Sequence, residues 1–126
     1  MPRIRVLVVD DAVVIRRMIT EALGSDPDIE VVGTSANGRI ALQKIPQVNP
    51  DIITMDVEMP EMDGLEATRI IREELKINTP IIAITANAVK EELESYIEKG
   101  MNDYITKPFE EKTLLSKIEQ WAFKTN

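Results

Sequence analysis

Residues 6–24 read VLVVDDAVVIRRMITEALG. The first four are an unbroken apolar run that stops on Asp10-Asp11. A strand with one wet face alternates polar and apolar side chains. An unbroken run reads as a strand covered on both faces, the condition of a parallel sheet. Beyond the acids, Ile15, Met18, Ile19, Ala22 and Leu23 recur at the helical period, with Arg16, Arg17, Thr20 and Glu21 between them. Gly24 is placed to end that helix. A doubly buried strand running directly into an amphipathic helix is half of a βαβ unit.

The same alternation continues outward. Ile29 to Thr34 reads as a second strand, and Asn37-Gly38 opens a short helix through Ile40, Ala41 and Ile45 that Pro46 is expected to close. Asp51 to Met55 is a third strand, followed by a helix from Gly64 to Leu75 with Leu65, Ile70, Ile71 and Leu75 inward. Pro80 to Thr85 is a fourth strand, Val89 to Lys99 a helix stopped by Gly100, and Asp103 to Thr106 a fifth strand. The last helix runs from Glu110 to about Phe123, with Leu114, Leu115, Ile118, Trp121 and Ala122 on one face. Parallel strands need crossover helices, and right-handed crossovers place them on both sides of the sheet. The expected fold class is α/β, an open parallel sandwich. No repeat, linker or low-complexity tract interrupts it, so residues 1–126 are expected to be a single domain.

Composition narrows the chemistry. The chain has 126 residues, 44% of them hydrophobic, enough for a full core without covalent staples. It has neither Cys nor His, which excludes disulfides, thiolate and imidazole metal sites, a Ser-His-Asp triad and a phosphohistidine on this chain. Carboxylates, hydroxyls and Lys remain. The formal net charge of −7 argues against binding nucleic acid through its phosphates. The N-terminal apolar stretch is too short for a signal peptide or a membrane span, so no membrane insertion and a cytoplasmic location are expected.

In open parallel sheets, sites form at the C-terminal ends of the strands. Here those ends carry Asp10 and Asp11 (first strand), Asp56 (third), Thr85 (fourth) and Lys107 (fifth). If these strands are neighbours, the five side chains meet. Three acids and one Lys sum to −2. Like charges that close repel by several kcal/mol per pair at an effective dielectric of ~20, so a proton or a cation must relieve them. All-oxygen ligands with few protein contacts suit Mg²⁺, which retains water and accepts phosphate oxygens. A carboxylate is also a competent nucleophile for phosphoryl transfer.

These motifs, in this order, resemble the receiver domain of bacterial two-component response regulators. They are Asp10-Asp11, Asp56 within "DVEMPEMDG", Thr85 within "ITANA", and Tyr104 with Lys107-Pro108 within "GMNDYITKPF". The resemblance spans nearly the whole chain. It implies a flavodoxin-like (βα)5 three-layer sandwich with a parallel five-stranded sheet of order 2-1-3-4-5. It further implies a phosphorylation-controlled signalling switch, not a conventional enzyme, that phosphorylates itself from a donor and dephosphorylates itself. Asp56 would be the phosphoacceptor. Mg²⁺ (or Mn²⁺) would be held by Asp11, Asp56 and the backbone carbonyl of Glu58, with Asp10 acting through water. Lys107 would pair with the phosphoryl group, Thr85 would hydrogen-bond it, and Tyr104 would be the switch aromatic. The Lys107-Pro108 peptide would be cis. A sensor histidine kinase or phosphotransfer protein would dock on the first helix around Val14, Ile15 and Met18 and on the loop after strand five. An output partner of unknown identity would read the surface of helix 4, strand 5 and helix 5, as a monomer or a phosphorylation-linked dimer. Up to about Met62 the chain is most similar to the receiver of chemotaxis methylesterase regulators ("ANGRIALQKI"). From about Thr79 it is more similar to receivers of hybrid sensor kinases ("TPIIAITANAVKEE"). That leaves a stand-alone receiver, a fragment, or a recombined or engineered chain as its organisation.

Competing readings differ in identifiable residues. A phosphohydrolase of the haloacid-dehalogenase kind places a second Asp two residues after its nucleophile, where this chain has Glu58. A flavodoxin-like cofactor binder needs a Ser/Thr/Gly phosphate loop after the first strand, where Asp10-Asp11 would repel phosphate. A phosphate-independent interaction domain needs none of the five site residues. Taken alone, Asp10-Asp11 would cap a helix and Asp63 would cap the next one. Glu58 and Glu61 would be solvated apart from the Glu58 carbonyl. Met55, Met59 and Met62 would be packing and Trp121 core, and Lys90-Glu91-Glu92 would be a wet face.

Overall fold

The computed structural model describes residues 3–122. Five strands, β1 (Ile4–Val9), β2 (Ile29–Ser35), β3 (Ile52–Asp56), β4 (Ile81–Thr85) and β5 (Asp103–Thr106), form one parallel sheet in the order 2-1-3-4-5. That is the order expected from the resemblance. Five helices alternate with them: α1 (Val13–Gly24), α2 (Gly38–Val48), α3 (Gly64–Glu73), α4 (Lys90–Glu98) and α5 (Glu111–Ala122). Phe123, expected in the last helix, lies outside the described residues.

The unbroken apolar runs bury both faces of the sheet, as their composition requires. Leu7, Val9, Ile53, Met55, Ile81 and Ala83 face α2, α3 and α4, joined by Ala41, Ile45, Ala67, Ile71 and Leu93. Val6, Val8, Ile52, Ile82, Ile84 and Ile105 face α1 and α5, joined by Ile19, Leu23, Leu114 and Ile118. Met18, expected inward on α1, is instead 48% exposed, and Ile70 of α3 is half-buried while Ala67 and Thr68 take the inner face. In both helices the small or β-branched neighbour sits closer to the sheet, and the longer side chain is displaced to the rim.

Pro46 does not close α2. The helix continues to Val48 and ends on Asn49, whose left-handed backbone (φ 49°) sends its N–H to the Ile45 carbonyl at 2.9 Å. Proline keeps a helical φ and forfeits only its own bond to the preceding turn, which costs least near a helix end. Asn49 tolerates the left-handed region and provides the stop.

One glycine positions the site and a second turns the chain after α4. Gly64 begins α3, capped by Asp63, which accepts from the Glu66 N–H at 2.8 Å. A Cβ on Gly64 would lie 2.4 Å from the Asp56 carbonyl oxygen, so only glycine lets α3 start against the end of β3. Gly100 follows α4 with φ +115°, a conformation L side chains rarely adopt.

Candidate functional site

The sheet order brings the ends of β1, β3 and β5 together. One carboxylate oxygen from each of Asp10, Asp11 and Asp56 lies within 4.8 Å of the others. Lys107, just after β5, places Nζ 3.4 Å from Asp10 Oδ2 and 3.4 Å from Asp56 Oδ1. The Lys107-Pro108 peptide is cis, as the resemblance implied. Asp10 and Asp56 are buried, whereas Asp11 is exposed at the mouth.

Asp10 is not a helix cap in the expected sense. Its Oδ1 accepts the Ala12 N–H at 2.9 Å, and its main-chain carbonyl accepts Arg16 Nη1 at 2.8 Å. The N-cap of α1 is Ala12, which offers no side-chain acceptor. Asp10 Oδ2 is buried and has no hydrogen-bond partner among the described residues, only the longer ion pair to Lys107. A buried carboxylate oxygen without a donor is costly. It is left facing the other two acids, where a cation would sit.

At an effective dielectric of ~20, two charges 4.8 Å apart repel by about 3 kcal/mol, and the Lys107 contacts attract by about 5 kcal/mol each. Lys107 therefore roughly offsets the acid–acid repulsion, and burial decides the balance. Asp56 is pushed up to about 7, first by burial, then by the Asp10 charge and a hydrogen bond with Asp11, against the opposing pull of Lys107. Burial alone would lower Lys107, but Asp56 and Asp10 outweigh it and hold it above its ordinary value. A cation bound among the three acids would relieve the same repulsion that raises Asp56. Three hard oxygen donors with no nitrogen or sulfur fit a divalent ion of the Mg²⁺ class.

Thr85, buried at the end of β4, is not turned to Asp56. Its hydroxyl donates to Glu58 Oε2 at 3.1 Å and accepts the Asn87 N–H at 3.1 Å. The Glu58 side chain, expected to be merely solvated, thus reaches across from the loop after β3. Nothing in the local sequence predicts that span, because it depends on two loops meeting. Tyr104 lies on β5 at 36% exposure with Lys117 Nζ 5.5 Å from its ring centre. Lys117 Nζ and Trp121 Nε1 each donate to Asp103 at 2.8 Å. Burial would raise Asp103, yet these donors and the Tyr104 N–H hold it below its ordinary value. Trp121 is therefore a half-buried strap from α5 to β5 and not a core residue alone. The bonds that Lys117 and Trp121 make to Asp103 were not legible in advance.

The haloacid-dehalogenase alternative loses its acid/base, since Glu58 is bound to Thr85 and the Ala86 N–H. On α1, Val13, Val14 and Met18 form an exposed apolar group beside the acid cluster. No described helix is long and apolar enough to cross a membrane.

Comparison with known proteins agrees with this geometry. The family described as "Response regulator receiver domain" matches residues 6–119. A protein-glutamate methylesterase/protein-glutamine glutaminase of a Nocardioides species is 52% identical over 111 residues, covering 86% of this chain and 30% of that protein. The chain spans about a third of the length of the curated relatives it matches. The response regulator domain of Thermotoga maritima CheB superposes with a TM-score of 0.84 at 34% identity, covering 96% of this chain and 97% of that one. The Vibrio cholerae chemotaxis protein CheY4 gives a TM-score of 0.83 at 32% identity, over 94% and 98% of the two chains.

Proposed function

Because the chain belongs to the response regulator receiver domain family, we propose how its residues divide the work of the phosphorylation switch. Asp56 is the phosphoacceptor. The observation that carries this is its place as the buried acid between Asp10, Asp11 and Lys107 at the end of the central strand. Asp11, Asp56 and the Glu58 carbonyl would hold Mg²⁺ (or Mn²⁺), with Asp10 acting through water; when bound, the ion would neutralise the acids and the incoming phosphoryl oxygens.

The carboxylate of Asp56 attacks the phosphorus of a phosphohistidine on a sensor kinase or phosphotransfer protein, or of a small acyl phosphate. The donor's P–N or P–O bond breaks as the aspartyl phosphate forms. Lys107, already 3.4 Å from Asp56, moves its charge onto the phosphoryl oxygens. Thr85 gives its hydroxyl hydrogen to one of them. Tyr104 then turns inward, and the faces of α4, β5 and α5 change for an output partner. The exposed apolar residues of α1 support kinase docking there. Residues 1–126 act as one receiver unit, working in the cytoplasm where such kinases present their phosphohistidine.

Incubation with acetyl phosphate and Mg²⁺, followed by intact mass, tests this. One phosphoryl group is expected on the wild type and none on Asp56→Asn. No gain on the wild type, or a gain that survives the substitution, sinks the assignment.

A further inference from the structure

Glu58 has a carboxylate whose position the switch chemistry does not explain. It sits on an exposed loop residue, yet Thr85 Oγ1 lies 3.1 Å from Oε2 and 3.4 Å from Oε1, and the Ala86 N–H reaches Oε1 at 3.4 Å. A hydroxyl has one hydrogen to donate. The Asn87 N–H occupies the Thr85 oxygen as an acceptor, so its single hydrogen is committed to Glu58. Thr85 is 0% exposed, so water is not an alternative acceptor, and the hydrogen goes either to Glu58 or into the phosphoryl site.

We propose that Glu58 is a positioning residue that latches Thr85 away from Asp56, so that filling the phosphoryl site requires this hydrogen bond to break. The inference rests on the roles proposed for Asp56 and Thr85 above. Its chemistry is asymmetric. A bond from a hydroxyl to an anionic carboxylate is stronger than one to a neutral acceptor. Glu58, once released, is already at the surface and regains water at little cost, whereas Thr85 has only the two partners. The latch therefore favours the resting arrangement without locking it. The added negative charge of a phosphoryl group pulls on the same hydrogen from the opposite side. Glu58 is thereby a competitor for Thr85, distinct from any role of its main-chain carbonyl.

The test uses the full chain with Mg²⁺ and beryllofluoride as the phosphoryl stand-in, titrated while the Ala86 and Asn87 amide resonances are followed by NMR. Glu58→Ala is expected to lower the half-saturating concentration by about tenfold, the value of one partly exposed charge-assisted hydrogen bond. Glu58→Gln, which keeps an acceptor without the charge, is expected to fall between. In a Thr85→Ala background the Glu58→Ala gain is expected to vanish, because the two residues act through one bond. An equal gain in both backgrounds would mean that Glu58 acts by charge alone and overturns the latch. No gain from Glu58→Ala in the chain that keeps Thr85 overturns it too. A wild type that does not bind beryllofluoride overturns the phosphoacceptor reading, and the latch with it.

Discussion

Asp56 shows how one residue's surroundings set the conditions for its use. Its folded value of about 7 stands above the ordinary 3.8 of an aspartate because burial and Asp10 disfavour its charge. A raised carboxyl contributes stability that is complete below its unfolded value and is lost as pH rises through its folded value. Without divalent metal, the wild type is expected to lose on the order of 3 kcal/mol between about pH 4 and pH 7 from this group, by ~1.4 kcal/mol per pKa unit. Asp56→Asn is expected to flatten that slope and to be the more stable protein at pH 8, by urea unfolding in EDTA. Mg²⁺ should reverse the order by stabilising only the wild type. Thr54 is the plainer case. Its hydroxyl is buried on β3 among the apolar residues facing α1 and α5, with no partner among the described residues. Thr54→Val should raise the unfolding free energy by about 1 kcal/mol, since it removes an unsatisfied group at equal size. Residues defined by the ends of apolar runs, such as Asp10, Asp56 and Lys107, were legible in the sequence. Glu58 was not, because its partner is decided by the meeting of two loops 27 positions apart.

Among the elements, the strands were legible from their composition and the helices from their period, but the terminations depended on single side chains. α2 ran through Pro46 because a proline sacrifices one bond while the left-handed Asn49 ends the path. α1 begins on Ala12, where no side chain accepts the free N–H groups of the first turn. Ala12→Ser supplies an acceptor at an extended N-cap. It should add about 1 kcal/mol to thermal or urea stability without altering the acid cluster's arrangement. A result below zero would show that the entry to α1 is already fixed by the Asp10 bond to the Ala12 N–H. α3 and α2 are each entered through a side-chain cap and a closely packed glycine: Asp63 and Gly64 for α3, Asn37 and Gly38 for α2. In α3 that glycine packs directly on the Asp56 backbone, which ties the helix to the end of β3.

Across the whole molecule, strand order was the one architectural fact periodicity could not supply, because burial of a run does not name its neighbours. The resemblance supplied it, and the sheet's 2-1-3-4-5 order bears it out. The order also places a second polar assembly at the opposite end of the sheet from the acids. Arg72 of α3 donates to the carbonyls of Ile77, Thr79 and Gly100 and to Asn102 Oδ1, which also accepts the Ile81 N–H. Burial lowers the Arg72 guanidinium from its ordinary value, but every acceptor it reaches compensates part of that cost. Arg72→Met should cost at least about 3 kcal/mol in urea unfolding, because it orphans three main-chain carbonyls on two connecting segments at once. The same Arg holds the turn just beyond α4 through the Gly100 carbonyl at 3.0 Å, while the start of α4 at Val89 has no side-chain cap and is half exposed. α4 is thus built as a lever with its pivot at the tail. Its exposed head is tied to Asn87, whose Oδ1 accepts the Val89 N–H at 2.9 Å and whose own N–H reaches the Thr85 hydroxyl, so a small displacement there sweeps the helix surface without loosening its far end. In hydrogen exchange the amides of residues 86–92 should trade with solvent well before those of 99–102, and Arg72→Met should erase that gradient by freeing the pivot.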